Sequence, residues 1–167
     1  MNKVISFLLI LALLNSIIIP ANATKVPAGK KILITPEKVT SKTVKRGDYV
    51  FGYVKNDVIV DSKVVIKQGA PVKIYVNDAQ KAHRWGVAGY ITLTNGTVED
   101  ITGKERDVLL DYNAKGNEKD WVKATAGLCI ATIILSPFGF LALIRGGEAE
   151  IQPINIINAE LINEFSI

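Results

Sequence analysis

Tyr49-Val50-Phe51-Gly52-Tyr53-Val54-Lys55-Asn56-Asp57-Val58-Ile59-Val60-Asp61-Ser62-Lys63-Val64-Val65-Ile66 is the stretch that decides the fold class. It contains three short runs of β-branched and aromatic residues, at 49–54, 58–60 and 64–66. Arg46-Gly47-Asp48 precedes the first run as a turn, and Asp61-Ser62-Lys63 between the last two reads as a tight hairpin. Short apolar runs punctuated by Asp, Asn and Gly are the pattern of antiparallel strands. From residue 30 to about 110, no ten-residue stretch keeps a helical apolar period.

The same pattern extends outward. Residues 30–35 form a β-branched run ended by Pro36, and residues 72–76 alternate around Lys73 and Tyr75. Residues 90–94 are followed by Asn95-Gly96, which predicts a turn, and Val108-Leu109-Leu110 follows Gly103-Lys104. Residues 113–119 are polar and loop-like. After residue 148 strand-like sequence returns at 149–152, breaks at Pro153, and resumes over 154–162. The expected fold is mainly β, an antiparallel β-barrel or sandwich. Gly47, Gly69, Gly86 and Gly89 are expected where φ is positive or the backbone approaches closely.

One segment breaks the pattern. Residues 124–144 carry no charge, with Lys119, Lys123 and Arg145 flanking them and Trp121 at their entrance. That length meets the criterion for a membrane-crossing helix, roughly 20 residues. Pro137 and Gly139 fall two-thirds of the way along, where proline disrupts a helix. Two short helical pieces reversing at 136–139 fit as well as a single span. An apolar helical hairpin inserted at about 121–145 is expected, either touching a membrane or a partner or packed on the barrel. Its small residues, among them Ala124, Gly127 and Ala131, suit close helix packing.

The amino terminus sets the compartment. Lys3 precedes an apolar run over residues 4–19, Pro20 breaks it, and Ala21-Asn22-Ala23 supplies small residues for a signal peptidase. Residues 1–23 are expected to be a cleaved signal peptide, and residues 24–167 a single exported domain in the periplasm or cell envelope. The chain is mildly basic, with a formal charge of +4. That excess suits anionic surroundings and is too small to imply nucleic acid.

The chemistry-bearing residues are few. His83 is the only histidine and Cys129 the only cysteine. The first excludes an ordinary multi-histidine zinc site and the second an intrachain disulfide. Cys129 lies within the uncharged segment, where a buried, inert thiol is expected. His83 is expected at the surface. Asp57, Asp61, Glu99 and Asp100 sit at turns, where carboxylates bond nearby backbone, and Asp78 completes no calcium-loop pattern. No phosphate-cradling motif appears. Two basic groups remain: Lys38, Lys42, Lys45 and Arg46 before the first long strand, and Lys81, His83 and Arg84 beside Trp85. No catalytic, cofactor or metal residue is assigned.

The motifs at 42–50, 54–58 and 64–72, followed by Arg84-Trp85-Gly86-Val87-Ala88-Gly89-Tyr90-Ile91, resemble a group of small secreted bacterial β-barrel proteins. More remotely, their order resembles the periplasmic barrel of the bridging subunit of type IV secretion and conjugation channels. That resemblance implies a barrel from which a helical hairpin projects. The expected role is a non-enzymatic structural or assembly module of the envelope. Its partner would be a membrane or an envelope protein engaged through 124–144, or a second copy of the chain. The alternative is a secreted hydrolase acting on cell-wall polymer.

Overall fold

The computed structural model describes residues 23–120, 122 and 144–167. The expected signal peptide, the apolar hairpin and Cys129 fall almost wholly outside them. Among the described residues twelve strands run in order: β1 (Lys25–Val26), β2 (Lys31–Pro36), β3 (Val39–Thr40), β4 (Tyr49–Val54), β5 (Val58–Val60), β6 (Lys63–Ile66), β7 (Pro71–Gln80), β8 (Tyr90–Glu99), β9 (Glu105–Lys115), β10 (Glu150–Ile151), β11 (Ile157–Leu161) and β12 (Phe165–Ser166). Six of them close a barrel in the order β11-β2-β4-β7-β8-β9, every neighbouring pair antiparallel. The fold is a β-barrel and not a sandwich.

Period-two alternation explains the closure. Along β4, Val50, Gly52 and Val54 point inward and Tyr49, Phe51 and Tyr53 outward. β11 repeats the pattern with Ile157, Ala159 and Leu161 buried. Ile34, Val50, Ile74, Leu93 and Val108 are at most 1 % exposed, so the interior is packed with side chains and is not a pore. Beside outward aromatics such as Phe51, the outer surface carries the lysines and all the described carboxylates but a few such as Asp100. A membrane-spanning barrel has the reverse arrangement, apolar outside.

Closing so small a barrel needs sharp coiling, and two glycines permit it. A Cβ on Gly52 would come 2.7 Å from the Thr35 carbonyl oxygen, and one on Gly96 would come 2.6 Å from that of Lys73. Gly96 is also where the sequence expectation fails. Asn95-Gly96 does not turn the chain but lies inside β8, next to a register shift between Leu93 and Asn95. The glycine serves a bulged bend in a long strand. The true reversal is at 100–104, and β9 continues through Lys115, past the expected loop start at 113. The last barrel strand starts at Ile157, not 154, because Gln152 and Asn155 form a turn in which the Asn155 side chain accepts from Gln152 N–H at 2.9 Å.

The ends of the barrel differ. One is covered by the β5–β6 hairpin, whose Asp61 and Ser62 take left-handed φ of 49° and 62°. This is the two-residue hairpin geometry expected at 61–63. Val65 and Ile66 plug that end, and the 100–104 turn docks on it through Ile101 N–H to Val65 O at 3.1 Å. The short pair β1–β12 lies at the same end. The opposite end gathers 81–89, 116–122 and 144–149 together with the β3–β10 pair.

Candidate functional site at the pole of the uncharged segment

The second pole is built from glycine-rich connections that lie backbone on backbone. Gly89 N–H donates to Gly147 O at 2.9 Å, Gly116 N–H to Gly89 O at 2.8 Å, and Gly147 N–H to Asn117 O at 2.8 Å. A side chain at Gly116 or Gly146 would collide with the backbone of 147–148 or 87–88. Gly89 has no positive φ; its role is the close approach, since a Cβ would strike the Ser41 hydroxyl and come 2.8 Å from Gln80 O. Gly47, Gly69 and Gly86 take φ of 92°, 81° and 71°, as expected.

Gly86 is the junction. Its N–H donates to Ile144 O at 3.0 Å and its carbonyl accepts from Lys119 N–H at 3.1 Å. Lys119 lies five positions before the uncharged segment and Ile144 is its last residue. Both stems of the segment are therefore fastened to one residue on the β7–β8 connection. Val122, fully buried, packs beside them, with its Cβ 3.2 Å from where a Gly86 Cβ would be.

A polar clamp lies underneath. The Glu148 carboxylate accepts from Ser41 Oγ at 2.7 Å and from Ala82 N–H at 3.0 Å, and Ser41 Oγ accepts in turn from Ala149 N–H at 2.9 Å. Burial pushes the Glu148 carboxyl upward. The two hydrogen bonds and the positive charges of Lys42 and Arg145 outweigh it, so its pKa is lower than usual.

The exposed rim is basic and aromatic. Arg84 and Arg145 form an antiparallel bridge, flanked by Gly146 N–H donating to His83 O at 3.2 Å. Trp85, between Arg84 and Gly86, has φ 65° and is 46 % exposed. Ala82, His83, Arg84, Trp85 and Arg145 surround one shallow depression. The sequence placed His83, Arg84 and Trp85 in one patch. It missed Arg145, 61 positions after Arg84, because only non-local backbone pairing between their connections joins them. The other basic group disperses: Lys38 pairs with Glu150 at 2.8 Å, and Lys42 lies near Glu148.

The acidic residues named from sequence are not brought together. Asp57 accepts from Gln68 N–H at 2.6 Å, and Asp78 accepts from Tyr90 Oη at 2.8 Å and from Ala79 N–H at 3.0 Å. Asp100 is buried at the far pole, where its carboxylate accepts from Thr102 N–H, Thr102 Oγ1, Lys104 N–H and the Arg106 guanidinium. Each is held by its own local donors. Among the described residues no cluster of three His, Cys, Asp or Glu could hold a metal ion.

Compared with known proteins, the chain matches no family model and no curated sequence.

Proposed function

We propose that this protein is a non-enzymatic, exported module of the cell envelope, whose barrel is docked to a membrane by the uncharged segment at one pole. The observation that carries the reading is that Gly86 holds both Ile144, the last residue of that segment, and Lys119, five positions before its first. A segment that leaves and returns at one point is an insertion, and 124–144 holds no charge to keep it in water. An uncovered apolar surface of that size is not tolerated on a soluble monomer. A helical hairpin reversing at 136–139 satisfies both constraints, and the resemblance to barrels with a projecting hairpin supports the same arrangement. The signal-like residues 1–23 deliver the barrel to the compartment where such docking occurs.

The test is fractionation of cells producing the untagged protein into periplasm, inner membrane and outer membrane. Recovery with a membrane fraction, resistant to a salt wash and released by detergent, is expected. Recovery wholly as a soluble periplasmic monomer would overturn membrane docking.

A further inference from the structure

We propose that Arg84 and Arg145 form a paired guanidinium site for the phosphate of an anionic lipid headgroup, with Trp85 beside it as the interfacial anchor. The proposal rests on the membrane-docking reading and specifies the lipid that docking selects.

Three features of the rim point to it. First, Arg84 and Arg145 sit opposite each other in an isolated antiparallel bridge between two connections. Like charges so placed repel. Among the described residues no carboxylate lies within ion-pairing distance of either guanidinium. Glu148, the acid that feels Arg145, is engaged by Ser41 and Ala82 N–H. Lys81, His83 and Lys119 nearby add no negative charge, and of the two carboxylates flanking Lys119, Glu118 pairs with Lys115 at 2.8 Å and Asp120 also acts on Lys115. A phosphodiester between two guanidinium planes would supply the missing counter-charge, with paired N–H donors matching its oxygens.

Second, Trp85 holds a left-handed backbone and is about half exposed. Such a conformation is unfavourable in a bulky residue and persists where the surroundings enforce it. Here the fastening of Gly86 to both stems enforces it. The result is a tryptophan displayed at the rim, and tryptophan concentrates at the level of lipid headgroups.

Third, Arg145 directly follows Ile144, the last uncharged residue, so the charged pair stands where the apolar segment ends. If that segment enters the acyl region, the pair lies at headgroup depth. A basic residue near an anionic membrane surface contributes about 1 kcal/mol, so two predict a preference of roughly 30-fold for anionic over neutral lipid.

The experiment is co-sedimentation of the mature protein with phosphatidylcholine vesicles, with and without phosphatidylglycerol. The wild type should bind both and favour the anionic vesicles by that factor. R84Q/R145Q should retain the melting temperature and the binding to neutral vesicles but lose the preference. K55Q/K67Q, which removes two lysines at the far pole, should keep it. Equal binding of wild type to both vesicles, or loss of preference in K55Q/K67Q to the same extent, would overturn the paired site and leave docking intact. Failure to bind either vesicle would overturn docking and the paired site together.

Discussion

Ser41 and Glu148, 107 positions apart, meet side chain to side chain at 2.7 Å, and the serine hydroxyl that donates to the carboxylate also accepts from Ala149 N–H. One hydroxyl thus ties the end of β3 to the return stem of the uncharged segment. The carboxylate it holds reaches on to the β7–β8 connection through Ala82 N–H. Mechanical load on the segment would pass through this clamp into the barrel.

Ser41 is fully buried, so Ser41→Ala leaves Ala149 N–H and one carboxylate lone pair unmatched. The expected loss is about 2 kcal/mol in urea unfolding. Glu148 adds a pH signature. Its carboxyl is held lower in the folded protein than in the unfolded chain, so its contribution is present above the unfolded value, about 4.3. It disappears as pH falls through the folded value. Glu148→Gln should lower stability at neutral pH and flatten the acid limb of a stability–pH curve. An unchanged limb would show that the clamp is not ionic.

At the opposite pole, Asp100 has a side chain with no solvent exposure, and the Arg106 guanidinium lies 2.7 Å away. Burial raises its carboxyl, but donors from Thr102, Arg106 and Lys104 outweigh that and lower it overall. Arg106 is also stacked over the Phe165 ring at 4.0 Å, which joins this pair to β12. Asp100→Asn leaves the partly buried Arg106 guanidinium poorly matched, at a cost of about 2 kcal/mol. The loss should be largest near neutrality and should vanish below the folded value, where the wild-type carboxyl is itself protonated. Equal losses at both pH values would place the effect in packing.

Gly69 and Gly86 separate backbone conformation from space. Both have positive φ, but nothing lies within 4 Å of a Cβ built on Gly69, whereas one on Gly86 would come 2.6 Å from Lys119 O. Gly69→Val should therefore cost only the left-handed conformation, about 2 kcal/mol. Gly86→Ala should cost about 3 kcal/mol, because it also displaces a stem of the uncharged segment. Amide exchange should become faster at 116–119 and 144–147 in the Gly86 variant alone. A wild-type melting temperature for Gly69→Val would mean that the turn rebuilds without glycine.

Among the described residues pairing begins at Thr24, which exchanges backbone bonds with Ile167 at 2.8 and 3.1 Å. Cleavage after Ala23 would leave that pairing intact, since the new α-amino group remains a donor. Intact-mass measurement of exported protein should place Thr24 first. A start beyond Val26 would remove β1 and contradict the cleavage site read from Ala21-Asn22-Ala23.

The barrel was legible in the sequence because its strands are local. Tyr49 to Ile66 carries its own alternation and its own turn residues, and the Asp61-Ser62 reversal formed where it was read. Asn95-Gly96 misled because the same dipeptide that favours a hairpin also suits a bulge in a sharply coiled strand. The two-residue strands β1, β3, β10 and β12 have too few residues to show a period and form only because distant partners meet. The candidate site was half legible for the same reason. Lys81, His83, Arg84 and Trp85 are neighbours in the chain, while Arg145, Ser41 and Glu148 join them only through non-local pairing.

The most direct measurement of the central claim is vesicle flotation of the mature protein beside a variant in which residues 124–143 are replaced by a short Gly/Ser linker. Ile144 and Lys119 are both bonded to Gly86, so a short linker spans the gap without disturbing either stem. The variant should keep the melting temperature and strand-rich circular dichroism of the barrel and should no longer float, while the full mature chain floats without added salt or partner protein. A linker variant that still floats, or a full chain that stays at the bottom of the gradient as a monomer, would contradict membrane docking through the uncharged segment.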